Sequence, residues 1–330
     1  MTFTALVLDR RDDTVTADLA QLDDNQLPPG DVTIDVEWSS LNYKDGLILL
    51  GQGRLVRDYP HVPGIDLAGV VTKSADDRFR PGDRVVVTGW RMGEIHWGGY
   101  AQRARVPADW VVPIPASLTT RQAMAVGTAG FTAMQALIGL EGHGVTGTED
   151  TPLLVTGASG GVGGSAIAWA AAAGHVVAAS TGRPENADEL ADLGAETIID
   201  RAELADAPGR PLLTERWAGV IDAVGGATLA HVLAEVAYGG SVAACGLAGG
   251  NGLDTTVIPF LLRGVNLLGI DSVMCPAAQR IEVWQRISEA DATKALDALT
   301  HEVGLSEVAG LAPEILAGRV KGRTVVDCSR

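Results

Sequence analysis

The segment LLVTGASGGVGGSAIAWAAAAG, residues 153–174, constrains this 330-residue chain more than any other. A short run of Leu and Val passes into Gly157, Gly160, Gly161 and Gly163 and then into an Ala-rich helix. Apolar residues without alternation read as a strand covered on both faces. The glycines permit a tight turn, close approach of the backbone to a diphosphate and close packing of helix on strand, and the helix N-terminus turns free N–H groups and its positive dipole end toward an anion. Ala158 stands where the strict dinucleotide motif has its first glycine, so the assignment leans on context. That context is the β run at 153–156 followed by five more, at 176–180, 197–200, 219–222, 241–245 and 266–270, with helical stretches such as 161–173, 185–193 and 227–237 between them. Six strands alternating with helices specify an α/β domain with a Rossmann-type, doubly wound parallel sheet, which binds ligands at the carboxyl ends of its strands.

The end of the second run decides which dinucleotide. An NAD site carries Asp or Glu there to accept the ribose hydroxyls, and that carboxylate would repel a 2′-phosphate. Here the residues are Ser180, Thr181, Gly182 and Arg183. A hydroxyl, a flexible backbone N–H and a guanidinium suit a phosphate dianion, so the expected cofactor is NADPH. Arg201 is either a second phosphate partner or a solvated surface charge. The remaining cofactor contacts are expected from Ser159, Gly160, Gly161, Val162 and Gly163 in the loop. Others should come from the strand tips: Val224 and Gly225, Cys245, Gly246 and Leu247, and 271–273 around Ser272.

Before about residue 115 the pattern is different: short β runs at 5–8, 32–38, 68–72, 84–88 and 111–114, broken by Gly, Pro and Asp. PPGD (28–31) and RPGDRV (80–85) read as hairpin openings into an antiparallel, partly closed sheet. Two helices are expected at 119–126 and 132–140. From about 276 the chain returns to helix and ends in a β run at 324–327, which needs a sheet to pair with and is expected to rejoin the first domain.

With 25 Lys+Arg against 41 Asp+Glu the formal charge is −16, which disfavours nucleic acid and anionic membrane as partners. Cys245, Cys275 and Cys328 are too few and too far apart for a disulfide framework or a structural zinc lobe. MTFTALVLDRRDD lacks the basic start and apolar run of a signal peptide, predicting a cytoplasmic chain, and the apolar stretch at 166–179 is too short and interrupted to span a bilayer.

Taken together, LNYKD (41–45), PGIDLAGVV (63–71), PGDRV (81–85), WGGYA (97–101), GTAGFTAM (127–134), GASGGVG (157–163), LGA (193–195), IDAVGG (221–226) and KGRTVV (321–326) resemble the medium-chain dehydrogenase/reductase superfamily in its zinc-independent, quinone-oxidoreductase-like branch. WSSLNYKDGL, YGGSVAACGLAGG and GIDSVMCP are similar to the subgroup that contains acryloyl-CoA reductases. The resemblance implies a GroES-like catalytic domain (1–122 and 276–330) facing a Rossmann NADPH-binding domain (123–275) across a cleft. It also implies a homodimer formed through the sixth Rossmann strand, 266–270. Zinc-dependent relatives carry a Cys and a GHE motif where this chain has Asn42-Tyr43 and Gly64-Ile65-Asp66, so no metal is expected. His96 remains a candidate for lining the substrate cleft.

The implied chemistry needs an acceptor already made electrophilic by conjugation. The expected reaction is NADPH-dependent reduction of the C=C bond of a short 2-enoyl-CoA, acryloyl-CoA to propanoyl-CoA, by hydride transfer to the β-carbon and protonation at the α-carbon. A quinone or enone reductase is the alternative, and a catalytically silent NADPH-binding sensor a third. Tyr43 is the candidate for holding the developing enolate and donating the proton, or else packs as a structural aromatic. Asn42 would fix the nicotinamide ribose or cap a turn. Thr132 would contact the nicotinamide region or cap a helix. Arg323 would bind the nicotinamide segment or a substrate carbonyl, and Asp66 reads as a backbone acceptor in preference to a base. Arg54, Arg57 and Arg91 are candidate partners for the phosphates of CoA.

Overall fold

The computed structural model describes every residue except Asp13 and Asp291. The chain packs into two units, Met1–Thr128 with Ser272–Ser288 and Asp297–Arg330, and Ala129–Asp271 with Glu289–Leu296.

In the first unit, β1 (Thr2–Arg11) and β2 (Thr14–Asp23) form a two-stranded antiparallel sheet. Only part of β1 is evident in the sequence, and β2 not at all. Its apolar residues are interleaved with acids and hydroxyls, and the strand is covered mostly on one side, so no dense apolar run marks it. The larger sheet contains β3 (Val32–Leu41), β4 (Asp66–Ser74), β5 (Arg84–Thr88), β6 (Arg103–Val106) and β7 (Val112–Pro113), paired antiparallel in the order β3-β4-β5-β7 with β6 also on β3. RPGDRV is the turn between β4 and β5, as its Pro and Gly predict. Leu8, Ile34, Leu67, Val85 and Val87 are fully buried between these strands, each contributing roughly 1.5–3 kcal/mol by leaving water.

A seven-residue helix, α1 (Tyr43–Leu49), follows β3 directly. The two expected helices at 119–126 and 132–140 are one element, α2 (Thr120–Gly142), broken at Gly127, whose φ of +52° is a left-handed conformation that glycine adopts without strain. The boundary between the units falls just past this break, at Thr128. By length and composition α2 could cross a membrane, but 83% of its apolar window is buried within the protein, as in a core helix.

In the second unit, β8 (Leu153–Val155), β9 (Val177–Thr181), β10 (Thr197–Asp200), β11 (Trp217–Asp222), β12 (Val236–Ala244) and β13 (Asn266–Gly269) are all parallel, in the order β10-β9-β8-β11-β12-β13. Counted from β8 this is 3-2-1-4-5-6, the doubly wound order anticipated from the alternation of strands and helices. Its helices include α3 (Gly161–Ala172), α4 (Ala187–Asp192), α5 (Gly226–Glu235) and α6 (Ile258–Arg263). The helix expected to reach 237 stops at Glu235, because β-branched Val236 already opens β12.

The chain then continues through α7 (Ala277–Glu289) and α8 (Thr293–Ala298) to β14 (Thr300–Gly304), α9 (Leu305–Leu316) and β15 (Arg323–Asp327). β15 lies antiparallel on β3, with Thr324 opposite Leu41, so the final β run does rejoin the first unit's sheet. β14, invisible as a run because of His301 and Glu302, pairs parallel with it. α9 packs against α1.

Candidate active site

Because β15 runs beside β3, Arg323 is brought to the residues that open α1. Its Nη1 donates to Asn42 Oδ1 at 3.0 Å, Nη2 to Ser40 Oγ at 3.0 Å, and Nε to the Ala125 carbonyl at 2.9 Å. The guanidinium is buried, and desolvation pulls its pKa below the ordinary value, with Asp66 and Asp45 opposing that shift. Its donors are spent inside the protein, so the structure does not offer Arg323 to a nicotinamide or a substrate carbonyl as expected. It acts as a bracket for Asn42.

Asn42 is buried too. Its Nδ2 points at Asp66 Oδ2 (2.9 Å), Ser40 Oγ (3.1 Å) and Asp45 Oδ2 (3.2 Å), and its backbone N–H donates to Asp45 Oδ2 at 2.9 Å. The Asn42 side chain is thus held inside the buried network by Arg323, Ser40, Asp45 and Asp66, and it is the Asp45 carboxylate that caps the Asn42 N–H at the start of α1. Asp66 accepts from Ser40 Oγ (2.6 Å), from the backbone N–H of Thr128 (2.9 Å) and from Thr128 Oγ1 (2.5 Å). It is a multiply bonded acceptor in place of a base. Asp45 accepts the Ile65 N–H at 3.0 Å, and burial, reinforced by the charge of Asp66, pushes its pKa up to about 7. Tyr100 donates its hydroxyl to the Ser40 carbonyl at 3.1 Å, and burial drives its own ionisation well above the usual range.

Around this buried network stands one open side chain. Tyr43, the first residue of α1, is 48% exposed, and its phenol forms no hydrogen bond among the described residues. Thr132 lies a turn beyond the Gly127 break and is buried within α2, so it does not cap a helix. The residue at the break is Thr128, and Asp66 serves as its cap.

In the second unit the glycine loop is built as its sequence requires. Gly157 has φ of +63°, Ala158 N–H donates to the Ser180 carbonyl, and Gly160 precedes α3. A Cβ on Gly163 would sit 2.3 Å from the Gly157 carbonyl oxygen, so helix and loop approach as only glycine allows. Ser159 Oγ and Thr181 Oγ1 are 2.7 Å apart, tying the loop to the end of β9, and Thr181 Oγ1 also accepts the Arg183 N–H at 3.0 Å. Arg183 is half-buried, and the Arg201 guanidinium lies against Gly182, where a Cβ would meet it at 2.3 Å. Neither arginine has a carboxylate partner among the described residues. The neighbouring strand tips are held by Asp222: its carboxylate accepts from Thr156 Oγ1 (2.6 Å) and Gly225 N–H (2.8 Å), and its carbonyl from Cys245 N–H (2.9 Å). Burial, followed by the charge of Asp222, raises the Cys245 thiol to about 12, so it is an inert wall. Gly249 N–H closes the loop back to the Val224 carbonyl. These residues fit a dinucleotide with an extra phosphate: a helix N-terminus with a glycine cradle, and two uncompensated guanidinium groups beyond the second strand.

Ser272 falls in the first unit, its carbonyl 3.0 Å from Arg280 Nη2. His96 is engaged with the Trp97 carbonyl at 2.9 Å and edge-on to Trp110, which makes it a packing residue. Arg91 pairs with Glu94 at 3.3 Å, and Glu94 also takes Lys44 Nζ at 2.9 Å, so Arg91 does not join Arg54 and Arg57. Those two line an open depression of about 630 Å³ together with Arg10, Gly53 and Val56. Among the described residues no three His, Cys, Asp or Glu groups stand together to hold a metal ion. No local sequence signal singles out Arg10, Ser40, Thr128 or Asp222 as part of a site. The available signal for Asp45 was its place three residues after Asn42, the spacing of a capping box.

Residues 28–116 match the family described as alcohol dehydrogenase GroES-like domain, and residues 161–289 match zinc-binding dehydrogenase. The chain is 58% identical over 327 residues to acrylyl-CoA reductase AcuI of Ruegeria pomeroyi, covering 98% of this chain and 99% of that one. Among solved structures it is similar to the yhdH oxidoreductase of Salmonella enterica in complex with NADP, at 49% identity and a TM-score of 0.95 over 99% of both chains. The Bacillus subtilis protein yhfP with NAD bound is similar at 43% identity and a TM-score of 0.95, again over 99% of both.

Proposed function

The chain belongs to the medium-chain dehydrogenase/reductase family, and on that premise we propose that it is an NADPH-dependent oxidoreductase that reduces the C=C bond of short 2-enoyl-CoA thioesters, acryloyl-CoA to propanoyl-CoA. The observation that carries this reading is the 58% identity, over 98% of the chain, to an acrylyl-CoA reductase. Preference for the phosphorylated cofactor is supported by Arg183 and Arg201 and by the absence of a carboxylate where β9 ends.

When bound, NADPH supplies the hydride that adds to the β-carbon. The chain's own residues do the rest. The loop 157–163 holds the diphosphate by backbone N–H groups, and Arg183 and Arg201 hold the 2′-phosphate. Tyr43 donates a hydrogen bond to the thioester oxygen as it gains charge and delivers the proton to the α-carbon, after which water restores the phenol. Arg323 and Asn42 act through position: they fix the start of α1, where Tyr43 stands.

The enzyme is further read as a cytoplasmic homodimer. Three free thiols suit a reducing compartment. Among the described residues β13 pairs with β12 alone, and Leu261 and Leu262 of α6 and Leu267 of β13 are 75%, 65% and 37% exposed, a surface suited to a second copy.

Steady-state kcat/KM for acryloyl-CoA, crotonyl-CoA and a small quinone, each with NADPH and NADH, tests the proposal. The expected ranking is acryloyl-CoA with NADPH first. A quinone reduced efficiently alongside no turnover of either thioester would replace this reading by the quinone reductase one.

A further inference from the structure

The depression around Arg54 and Arg57 is assembled from parts far apart in sequence. The loop after α1 is seated on the β1–β2 hairpin: Gly51 packs so closely on Val15 that a Cβ would lie 2.6 Å from its side chain. Farther along, Leu8 and His61 exchange backbone hydrogen bonds of 2.7 and 2.9 Å, pinning the end of the loop to β1 two residues before Arg10. Between these anchors the backbone turns left-handed at Gly51, Gly53 and Arg54, the last with φ of +51° on a residue that has a Cβ. A positive φ on a non-glycine residue is uncommon and costs free energy, so the fold holds Arg54 in place against its local preference. The result is three guanidinium groups around one open space of about 630 Å³, on a chain of net charge −16. Arg54 and Arg57 are exposed and have no carboxylate partner among the described residues. Exposed arginines of an acidic protein are ordinarily interspersed with acids, and the pair Arg54 and Arg57, with no carboxylate on either among the described residues, points to an anionic ligand.

We propose that Arg54 and Arg57, in the depression that Arg10 also lines, form the subsite for the phosphate groups at the nucleotide end of the CoA thioester. This rests on the enoyl-CoA reading above. The placement suits the molecule, because the cluster lies past the C-terminal end of α1 while Tyr43 stands at its N-terminal end, about 10 Å along a helix of this length. The acyl group and the phosphates of CoA lie at opposite ends of an extended arm, so the two recognition points are separated as the substrate's own ends are. Guanidinium groups match phosphate oxygens in paired, charge-assisted hydrogen bonds, giving the site affinity for the carrier and none for a free quinone.

The test compares acryloyl-CoA with acryloyl-pantetheine, which lacks the nucleotide and its phosphates, in the wild type, Arg54→Ala, Arg57→Ala and the double variant. The ratio of kcat/KM for the two thioesters is expected to fall at least about tenfold for each arginine removed, through KM. Titration of CoA into the NADP⁺-loaded protein, which requires no turnover, is expected to weaken by a similar factor, and inorganic diphosphate serves as a second probe. A wild-type ratio in the double variant, or diphosphate binding lost in that variant while CoA titrates normally, would overturn the assignment. If neither thioester is turned over by the wild type, the enoyl reading fails by itself, and the CoA titration still decides whether the arginines bind the carrier.

Discussion

Arg323 Nη1 lies 3.0 Å from Asn42 Oδ1, joining residues 281 positions apart. The contact orients the Asn42 amide so that its NH₂ faces Asp66 and Asp45, and it places the cation of the cluster beside two buried carboxyl groups. Removing that cation strands them. Arg323→Ala is expected to destabilise the protein by about 3–5 kcal/mol, the range for deleting one partner of a buried charged set, with Arg323→Lys intermediate. Equilibrium denaturation measures it, and a fully stable Ala variant would show that the bracket holds nothing.

Tyr43 is half exposed at the head of α1, so Tyr43→Phe should leave stability within about 0.5 kcal/mol. Losing a positioned proton donor should lower kcat by about 10²–10⁴ while NADPH binding is retained. Stopped-flow turnover beside cofactor fluorescence separates the two effects. An undiminished kcat would remove the phenol from the reaction.

Arg183→Ala should weaken NADPH about 10- to 150-fold, the range for one charge-assisted hydrogen bond, and leave NADH nearly unaffected. Dissociation constants for both cofactors check it. Equal losses would mean that Arg183 supports the loop and does not read the phosphate.

Asp45 makes stability depend on pH. Its folded value of about 7 exceeds the ordinary 3.8, so between these the folded chain holds a proton that the unfolded chain releases. The unfolding free energy then gains up to about 1.4 kcal/mol per pH unit from this group as pH falls from about 7 to about 4, and loses it as pH rises. Asp45→Asn should flatten that component, seen as a smaller difference in denaturation midpoint between pH about 5 and about 7 relative to wild type. Parallel profiles would place the proton elsewhere.

What was legible in the sequence was whatever its chemistry encodes locally. The glycine loop, the strand alternation and the missing acid after β9 each lie within a few residues, and each has one physical interpretation. β2 and β14 escaped because half-buried strands need no apolar run. Arg323 was placed by family position, but its burial depends on β15 lying beside β3, which no short window reveals. Arg10 joined Arg54 and Arg57 only through the hairpin. Arg91 was separable in principle, since Glu94 stands three residues on and competes for it.

Because β15 is a middle strand of its sheet, the first unit is finished last. A ribosome emits the whole dinucleotide-binding unit before it reaches Arg323, and throughout that interval Asp45 and Asp66 await their counter-charge. In the order of synthesis, therefore, the glycine loop is complete long before the strand that braces the start of α1, and the seating of Tyr43 waits for the last residues to emerge.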